Sequence, residues 1–160
     1  MQAKRSKDSS VIMSQVMTPQ DANLAGNVRS GIIMKLIDNA TGVVAMRHTR
    51  SNVVTASVDR MDFHFPVLIG DLVWFKASVN LVGRTSMEVG VRVEAENLKT
   101  REMRHTASAY LTLVALDERG RPTAVPPLIL ETEDDLRRNR EAAIRRDARL
   151  RERDAKKQAG

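Results

Sequence analysis

Asp38 is the residue whose chemistry fits its surroundings least. It lies in the segment from Ser30 to His48, where apolar residues recur with the spacing of one helical face. Between Gly31 and Met46 the only charged residues are Lys35 and Asp38. A carboxylate in such a helix costs several kcal/mol to desolvate unless it is paired or hydrogen-bonded. We expect Asp38 either to be satisfied structurally or to be kept for chemistry, and the pattern leaves both open.

Other reactive residue types are absent or lack the spacing that their chemistry needs. The chain has no Cys, which excludes disulfides, thiolate zinc sites, iron–sulfur clusters and cysteine nucleophiles. His48, His64 and His105 do not have metal-ligand spacing. No serine-nucleophile elbow, phosphate-binding glycine loop or dinucleotide-binding turn occurs. We therefore expect no metal and no cofactor.

The helix that carries Asp38 has two distinct faces. The sheet should cover its main apolar stripe, formed by Ile33, Leu36, Ala40 and Val44. Asp38 points away from that stripe and shares its face with Met34, Thr41 and Ala45. Because this second face is also hardly polar, the helix should be buried nearly all round. A partner subunit is the economical cover, and a carboxylate at a subunit seam is where pockets form.

Strand patterns surround this helix. The predicted strands are Val11–Met17 at an edge, then Asn52–Phe65, Asp71–Val82, Thr85–Glu96 and Arg101–Leu116. Turn residues at Gly70-Asp71 and Val82-Gly83-Arg84 predict hairpins, so the last four strands should form an antiparallel meander. A chain of 160 residues is near the usual size of one domain. We predict one α+β domain whose sheet wraps the helix.

Two local features add detail to this prediction. Asn27 or Ser30 is placed to cap the start of the helix. The segment Thr85–Glu96 alternates strictly, so Glu88 should lie on a face exposed to water.

Charge is distributed unevenly along the chain. The net charge is +6, but residues 1–135 carry 16 Lys/Arg and 16 Asp/Glu, so the whole excess lies in the tail 136–160 with 10 and 4. That tail offers only Leu136, Ile144 and Leu150 as large apolar residues, which predicts a solvated helical extension rather than a second domain. Nucleic-acid binding is less favoured, because the body is neutral and only five aromatic residues are available for base stacking. Contact between the tail and the phosphates of a small ligand is a third possibility.

No apolar run is long enough to cross a bilayer, and we expect a soluble, cytoplasmic protein that binds no membrane.

Four segments, in order and with compatible spacing, resemble the hotdog-fold acyl-CoA thioesterases. They are Thr18–Asn27, Gly31–Asp38, Asn52–Val58 and Gly83–Glu88. The resemblance is to the branch of bacterial short- and medium-chain acyl-CoA hydrolases and the vertebrate brain acyl-CoA hydrolase. It implies an antiparallel five-stranded sheet wrapped around one long central helix, and two such units joined as a dimer, often with three dimers in a hexamer.

The resemblance covers roughly residues 11–127 and leaves the tail uncovered. We expect residues 1–10 to be a flexible N-terminus, 11–130 the thioesterase domain that the resemblance implies, and 131–160 a charged Arg-rich helical tail. The activity would be hydrolysis of fatty acyl-CoA to free acid and CoA, with no cofactor because CoA is part of the substrate.

Residue by residue, the family's catalytic carboxylate falls on Asp38 and its catalytic asparagine on Asn23, the two coming from opposite subunits. Asp38 would act as general base on a water or as nucleophile, Asn23 would position that water or the thioester, and the Gly31 N–H at the helix start would stabilise developing negative charge.

The resemblance also implies CoA-binding residues. Thr55 would lie beside the pantetheine arm, and Arg84, Thr85 and Ser86 would lie near the nucleotide end of CoA, where a guanidinium and hydroxyls suit phosphate.

One departure from the family concerns the helix entry. The family usually has His-Gly-Gly there, and this chain has Arg29-Ser30-Gly31. Ser30 adds a side chain where the substrate approaches, which motivates an alternative function: an acyl-CoA-binding sensor with reduced turnover. A nucleic-acid-associated protein that uses the Arg-rich tail is a third hypothesis.

Overall fold

Two long helices and one curled antiparallel sheet dominate the structure, a computed structural model that describes all 160 residues. The helices are α1 (Ser30–Thr49) and α2 (Glu133–Ala159). The strands are β1 (Lys4–Arg5), β2 (Val11–Val16), β3 (Asn52–Val58), β4 (Asp62–Phe63), β5 (Leu72–Val82), β6 (Ser86–Glu96), β7 (Met103–Leu116) and β8 (Leu128–Ile129). Neither helix is both long enough and apolar enough to span a membrane.

The main sheet runs in the order β2-β5-β6-β7-β3, and the short β4 pairs with β7 as well. All of its pairings are antiparallel. The sheet curls around α1, and the side chains between them form a single core of 22 buried residues. The predicted α+β fold, a five-stranded antiparallel sheet around one long helix, is therefore confirmed.

The position of β3 differs from the predicted meander. β3 pairs with the end of β7, with Asn52 opposite Leu116 and Thr55 opposite Leu113. It cannot pair with β5, because β2 and β6 already occupy both edges of β5. The predicted strand Asn52–Phe65 is consequently divided into β3 and β4, and only β5, β6 and β7 form consecutive hairpin neighbours.

The two predicted hairpin turns have different outcomes. The turn after Val82 does connect β5 to β6, with the Gly83 N–H donating to the Ser86 carbonyl at 2.8 Å. Gly70-Asp71 instead ends a crossing segment, where the Asp71 carboxylate accepts from the Leu68 N–H at 3.0 Å.

Helix α1 lies with one side on the sheet and one side open. Its buried residues are Ile33, Ile37, Ala40, Thr41, Val44, Ala45 and His48. On the open side Met34 keeps 45% of its surface exposed and Met46 keeps 49%. The expectation that α1 is buried nearly all round therefore does not hold for a single protomer, and an apolar face remains for a partner to cover.

The start of α1 also differs from the prediction. Neither Asn27 nor Ser30 caps the helix; the N-cap position is Arg29, whose side chain makes no capping hydrogen bond. The first turn contains no acidic residue. Its free N–H groups and the positive end of the helix dipole therefore face outwards without a side-chain partner.

The first ten residues, expected to be flexible, pack against the body of the protein. Lys4 and Arg5 pair in parallel with Leu128 and Ile129. The buried Ser6 hydroxyl donates to the Val79 carbonyl at 3.2 Å. Short-range composition did not indicate this because both contacts join distant parts of the chain.

Helix α2 corrects the expectation of a solvated tail. Ala142 is completely buried, and the Asn139 amide donates to the Asn80 carbonyl at 3.0 Å. Glu88, expected on a wet face, is only 2% exposed because α2 covers it. The first half of α2 therefore docks on the outer face of the sheet, while residues 151–160 are exposed.

Candidate active site

Asp38 lies on the open side of α1 and is held by a strand. The Thr55 hydroxyl donates a hydrogen bond of 2.8 Å to Asp38 Oδ1. Thr55 is two residues after Val53, which packs on the core, so both side chains of β3 face α1. The bond fixes one carboxylate oxygen and leaves Oδ2 free. The family resemblance implied that Thr55 lies beside CoA and did not predict its contact with Asp38. The alternation of β3 was a usable signal, because it places Thr55 on the same face as Val53.

Gly31 and Asp38 line the same cleft. They are seven residues apart, two helical turns, and therefore share a face of α1. The cleft has a volume of about 310 Å³, and its remaining lining is mostly apolar: Met34, Lys35, Ile37, Val58, Met61, Ala109 and Leu111. A side-chain carbon added at Gly31 would have no neighbour within 4 Å, so the helix entry is open.

Asn23 is held in a tight loop before α1. Its side-chain oxygen accepts from the Ala25 N–H at 2.9 Å and from the Asn27 N–H at 3.1 Å. Its own N–H donates to the Asn27 carbonyl at 2.7 Å. Since the oxygen is already occupied by two donors, the side-chain NH₂ is the group left to contact a ligand, and it can only donate.

Asn23 and Asp38 do not meet within one protomer. Asn23 lines a second cleft of about 390 Å³ together with Ser30, Phe63, His64 and Phe65, among others. No residue lines both clefts. One chain therefore carries two separate clefts, an apolar one with a carboxylate and a helix N-terminus, and one with an amide donor.

Arg29 joins the start of α1 to the loop that carries Asn23, through both its side chain and its backbone. Its side-chain Nε donates to the Ala22 carbonyl at 2.8 Å, and its N–H donates to the Asp21 carbonyl at 2.8 Å. The guanidinium thus braces the loop that carries Asn23 and lies at the N-cap of α1.

The three residues predicted at the nucleotide end of CoA occupy the β5–β6 hairpin. The Arg84 carbonyl accepts from the Val125 N–H at 3.0 Å and the Thr85 carbonyl accepts from the Ala115 N–H at 2.9 Å, so the backbone of the turn is anchored. Arg84 is exposed, whereas Thr85 and Ser86 are half-buried. Ser86 lies opposite Val114, two strands from β3.

The histidines lie away from Asp38. His48 is fully buried at the end of α1, and its Nε2 donates to the Pro126 carbonyl at 2.8 Å, because a carbonyl oxygen only accepts. Burial lowers the pKa of His48, and the charge of Lys4 lowers it further. Burial also lowers the pKa of His105, whose ring lies 5.6 Å from that of His64 in an edge-to-face arrangement.

A cleft larger than these two, about 680 Å³, lies at the opposite end of α1 around Met46 and Asn52. It contains none of the residues predicted to act on a substrate, so volume alone does not locate the site.

Comparison of sequences identifies relatives along most of the chain. The sequence profile of the thioesterase superfamily matches residues 25–102. Protein VdlD of Helicobacter pylori is 40% identical over 141 residues, which are 88% of this chain and 80% of that protein. The uncharacterized acyl-CoA thioester hydrolase YkhA of Bacillus subtilis is 38% identical over 89% of this chain and 83% of that protein.

Solved structures of acyl-CoA thioesterases superpose closely on this fold. An apo-hexameric acyl-CoA thioesterase superposes with a TM-score of 0.92 at 37% identity, covering 95% of this chain and 97% of that one. An acyl-CoA hydrolase from Staphylococcus aureus in complex with butyryl-CoA, CoA and CoA disulfide gives 0.91 at 32% identity, covering 98% and 96%. Alanine variants of that enzyme at one aspartate, one asparagine and one threonine match with TM-scores of 0.91, 0.92 and 0.90.

VdlD and YkhA, at 40% and 38% identity, are matched over 80% and 83% of their own lengths. The curled sheet around α1 is the fold shared with the apo-hexameric acyl-CoA thioesterase. The chain belongs to the thioesterase superfamily, as a member of its hotdog-fold acyl-CoA thioesterase family.

Proposed function

We propose that this protein hydrolyses fatty acyl-CoA thioesters to the free acid and CoA. The observation that carries the proposal is Asp38, fixed through Oδ1 by Thr55 at 2.8 Å and lying in an apolar cleft with Gly31 at its helix end. An apolar cleft suits an acyl chain, and the carboxylate supplies the group that a hydrolysis needs.

In the general-base route, Asp38 Oδ2 takes a proton from water while the water oxygen attacks the thioester carbonyl carbon. The carbonyl oxygen becomes an oxyanion. When it collapses, the carbon–sulfur bond breaks and the CoA sulfur takes the proton from Asp38. Thr55 is a positioning residue here, because it orients Asp38 without contacting the substrate.

The oxyanion is stabilised at the start of α1. The Gly31 N–H is a donor with no side chain in its way, and the first helical turn has no acidic residue to oppose a negative charge. Asn23 supplies a second donor through its side-chain NH₂.

Asn23 reaches this site from the other subunit. Because the clefts of Asn23 and Asp38 are separate within one chain, a dimer that brings the two halves together gives two complete sites. The spacing of the asparagine, aspartate and threonine replaced in the S. aureus hydrolase equals that of Asn23, Asp38 and Thr55, which supports the choice of these three residues.

Further assembly and CoA binding follow the same proposal. Three such dimers form a hexamer, which agrees with the hexameric state of the similar apo-hexameric acyl-CoA thioesterase. CoA extends from the Asp38 cleft towards the β5–β6 hairpin, where Arg84, Thr85 and Ser86 contact its nucleotide end.

The open entry at Gly31 favours turnover over the alternative of an acyl-CoA sensor. Assaying wild type with a panel of acyl-CoAs of increasing chain length separates the two: a thioesterase releases CoA with multiple turnovers, whereas binding of the same panel without release supports the sensor.

Thr55→Ala should lower kcat and Thr55→Ser should recover most of it.

The choice between general base and nucleophile has its own test. A single turnover in H₂¹⁸O does not separate the two routes when water attacks the acyl carbonyl of an Asp38 anhydride. In that case the released acid carries the label, as it also does in the general-base route. Hydroxylamine distinguishes the two routes, because it traps an anhydride as an acyl hydroxamate. The nucleophilic route therefore predicts that the hydroxamate forms faster than from the free thioester, and that this increase depends on Asp38.

A further inference from the structure

The tail helix reaches the hairpin that the proposed function assigns to the nucleotide end of CoA. Arg146 Nη2 lies 3.6 Å from the position that a side-chain carbon on Gly83 would occupy. Together with Ser86 it lines a small hollow between α2 and the hairpin. The guanidinium therefore lies against the turn itself.

The position of Arg146 is set by two ion pairs on neighbouring turns of α2. Arg145 donates from Nε and Nη2 to the two oxygens of Glu88, each at 2.8 Å, and Arg149 donates to Asp59 at 2.8 Å. Glu88 is 2% exposed, and a partly buried bidentate pair of this kind fixes geometry more than it adds stability. The register of α2 on the sheet is thus determined at both sides of Arg146.

The charges at this place are not neutralised. Arg145 and Arg149 have carboxylate partners, whereas Arg84 and Arg146 make no salt bridge and are both exposed. Two unpaired guanidinium groups therefore flank one anchored turn that also offers the hydroxyls of Thr85 and Ser86. Guanidinium groups and hydroxyls are the donors that bind phosphate in proteins.

We propose that Arg146 of the tail helix binds the phosphate groups of CoA together with Arg84 of the hairpin. This inference rests on the proposed function for the identity of the ligand. It assigns a particular residue to the phosphate contact that the composition of the tail left open, and it makes the docked half of α2 part of the substrate site.

The test compares a complete substrate with a truncated one. The acyl chain hydrolysed fastest in the panel is presented as its CoA thioester and as its N-acetylcysteamine thioester, which has the same reacting bond but no phosphate. Arg146→Ala is compared with Arg151→Ala, a matched control, because Arg151 is exposed, unpaired and on the opposite face of α2.

The expected result is selective. The ratio of kcat/KM for the CoA thioester to kcat/KM for the truncated thioester falls roughly 3–10-fold in Arg146→Ala, through KM, as for loss of one solvent-exposed charged contact. It stays within error in Arg151→Ala. The KM of wild type for the CoA thioester rises with salt, and rises less steeply in Arg146→Ala.

An unchanged ratio in Arg146→Ala, or an equal fall in both variants, overturns the inference. Hydrolysis of neither thioester by wild type contradicts the proposed function instead. Calorimetric titration with CoA then decides: weaker binding by Arg146→Ala than by Arg151→Ala supports the contact without turnover, and equal binding overturns it.

Discussion

Asp38 shows how one residue can carry a charge in an apolar helix. In a single protomer the carboxylate is exposed, because the side of α1 that it shares with Met34 is open. Thr55 satisfies Oδ1 and solvent reaches Oδ2. The desolvation cost expected from the sequence is therefore not incurred in the protomer. In the proposed dimer the partner covers this face, and that cost falls on assembly.

Replacing Asp38 by Asn separates the catalytic from the structural interpretation. The change keeps size and hydrogen-bonding capacity but removes the base, so kcat should fall roughly 10²–10⁴-fold. The free energy of unfolding should change by less than about 0.5 kcal/mol, because no buried cation depends on the charge. Steady-state kinetics and urea unfolding measure the two effects.

Asp147→Asn is the matched control, since Asp147 is an exposed aspartate of α2 without a salt bridge. A stability loss of several kcal/mol in Asp38→Asn, with activity falling only through unfolding, would show a structural carboxylate instead.

At the scale of the element, α2 is a packed helix fixed by polar contacts. Its N-terminus is capped by Thr132, whose side chain accepts from the Asp135 N–H at 3.0 Å. The guanidinium of Arg145 lies 3.6 Å from the centre of the Tyr110 ring while it pairs with Glu88. The docked half therefore depends on an ion pair over an aromatic ring, and few apolar anchors were visible in its sequence.

Arg145→Ala should be much more destabilising than a change on a solvated helix. It leaves the buried Glu88 without its cation, which should cost roughly 2–4 kcal/mol, less than for a fully enclosed pair because α2 can move away. The double variant Glu88→Gln/Arg145→Ala should recover part of the loss. Deletion of residues 151–160 should change stability by less than about 0.5 kcal/mol. If the Arg145→Ala variant were as stable as wild type, α2 would be a solvated tail and not a packed helix.

His48 makes the end of α1 sensitive to acid. Its pKa is lowered in the folded state, so the unfolded chain binds more protons and folding stability falls as pH decreases. The loss should begin near pH 6.5, the usual histidine value, and continue down to the lowered pKa of the folded state, at up to about 1.4 kcal/mol per pH unit.

Urea unfolding between pH 7.5 and about pH 5 measures this slope. His48→Gln removes the titrating group, so its slope should be shallower even though the variant is less stable at pH 7. His105→Gln is measured for comparison and should also make the slope shallower, because burial lowers the pKa of His105 too. Equal slopes in wild type and His48→Gln would contradict the assignment.

At the scale of the whole molecule, the protomer has surfaces that call for a partner. Strand β3 pairs with β7 on one side only, and its other edge is open. Val58 on this strand keeps 50% of its surface exposed and lines the same cleft as the exposed Met34 of α1, and Val54 keeps 47% exposed. An open edge with apolar side chains is a template for pairing with another chain.

We therefore expect a dimer at minimum, and a hexamer in the full assembly. Light scattering at micromolar concentration measures the mass directly. A monodisperse species of 17.9 kDa would contradict both the dimer and the shared site.

Mixing two inactive variants tests the shared site. Asp38→Asn and Asn23→Ala chains are unfolded together and refolded. If each site takes Asp38 from one subunit and Asn23 from the other, random pairing restores roughly a quarter of wild-type activity, because half of the dimers are mixed and each has one intact site. No recovery, with mixed oligomers verified by native mass spectrometry, would rule out sharing.

The sequence by itself determined the parts of the structure that depend on local periodicity. The apolar spacing over Ser30–His48 predicted α1 to within one residue, and alternation predicted β5, β6 and β7 closely. The orientation of Asp38 away from the buried stripe followed from helix geometry alone. Four ordered segments were enough to identify the family.

Tertiary structure decided everything that joins distant residues. The Thr55–Asp38 bond spans 17 positions and the Arg145–Glu88 pair spans 57, and neither leaves a periodic trace in the sequence. Glu88 alternates like a solvent-facing residue, but α2 covers it. The place of β3 beside β7 depended on which strand edges were still free after β5 and β6 had paired. Local patterns record which way a side chain points, whereas packing decides what it meets.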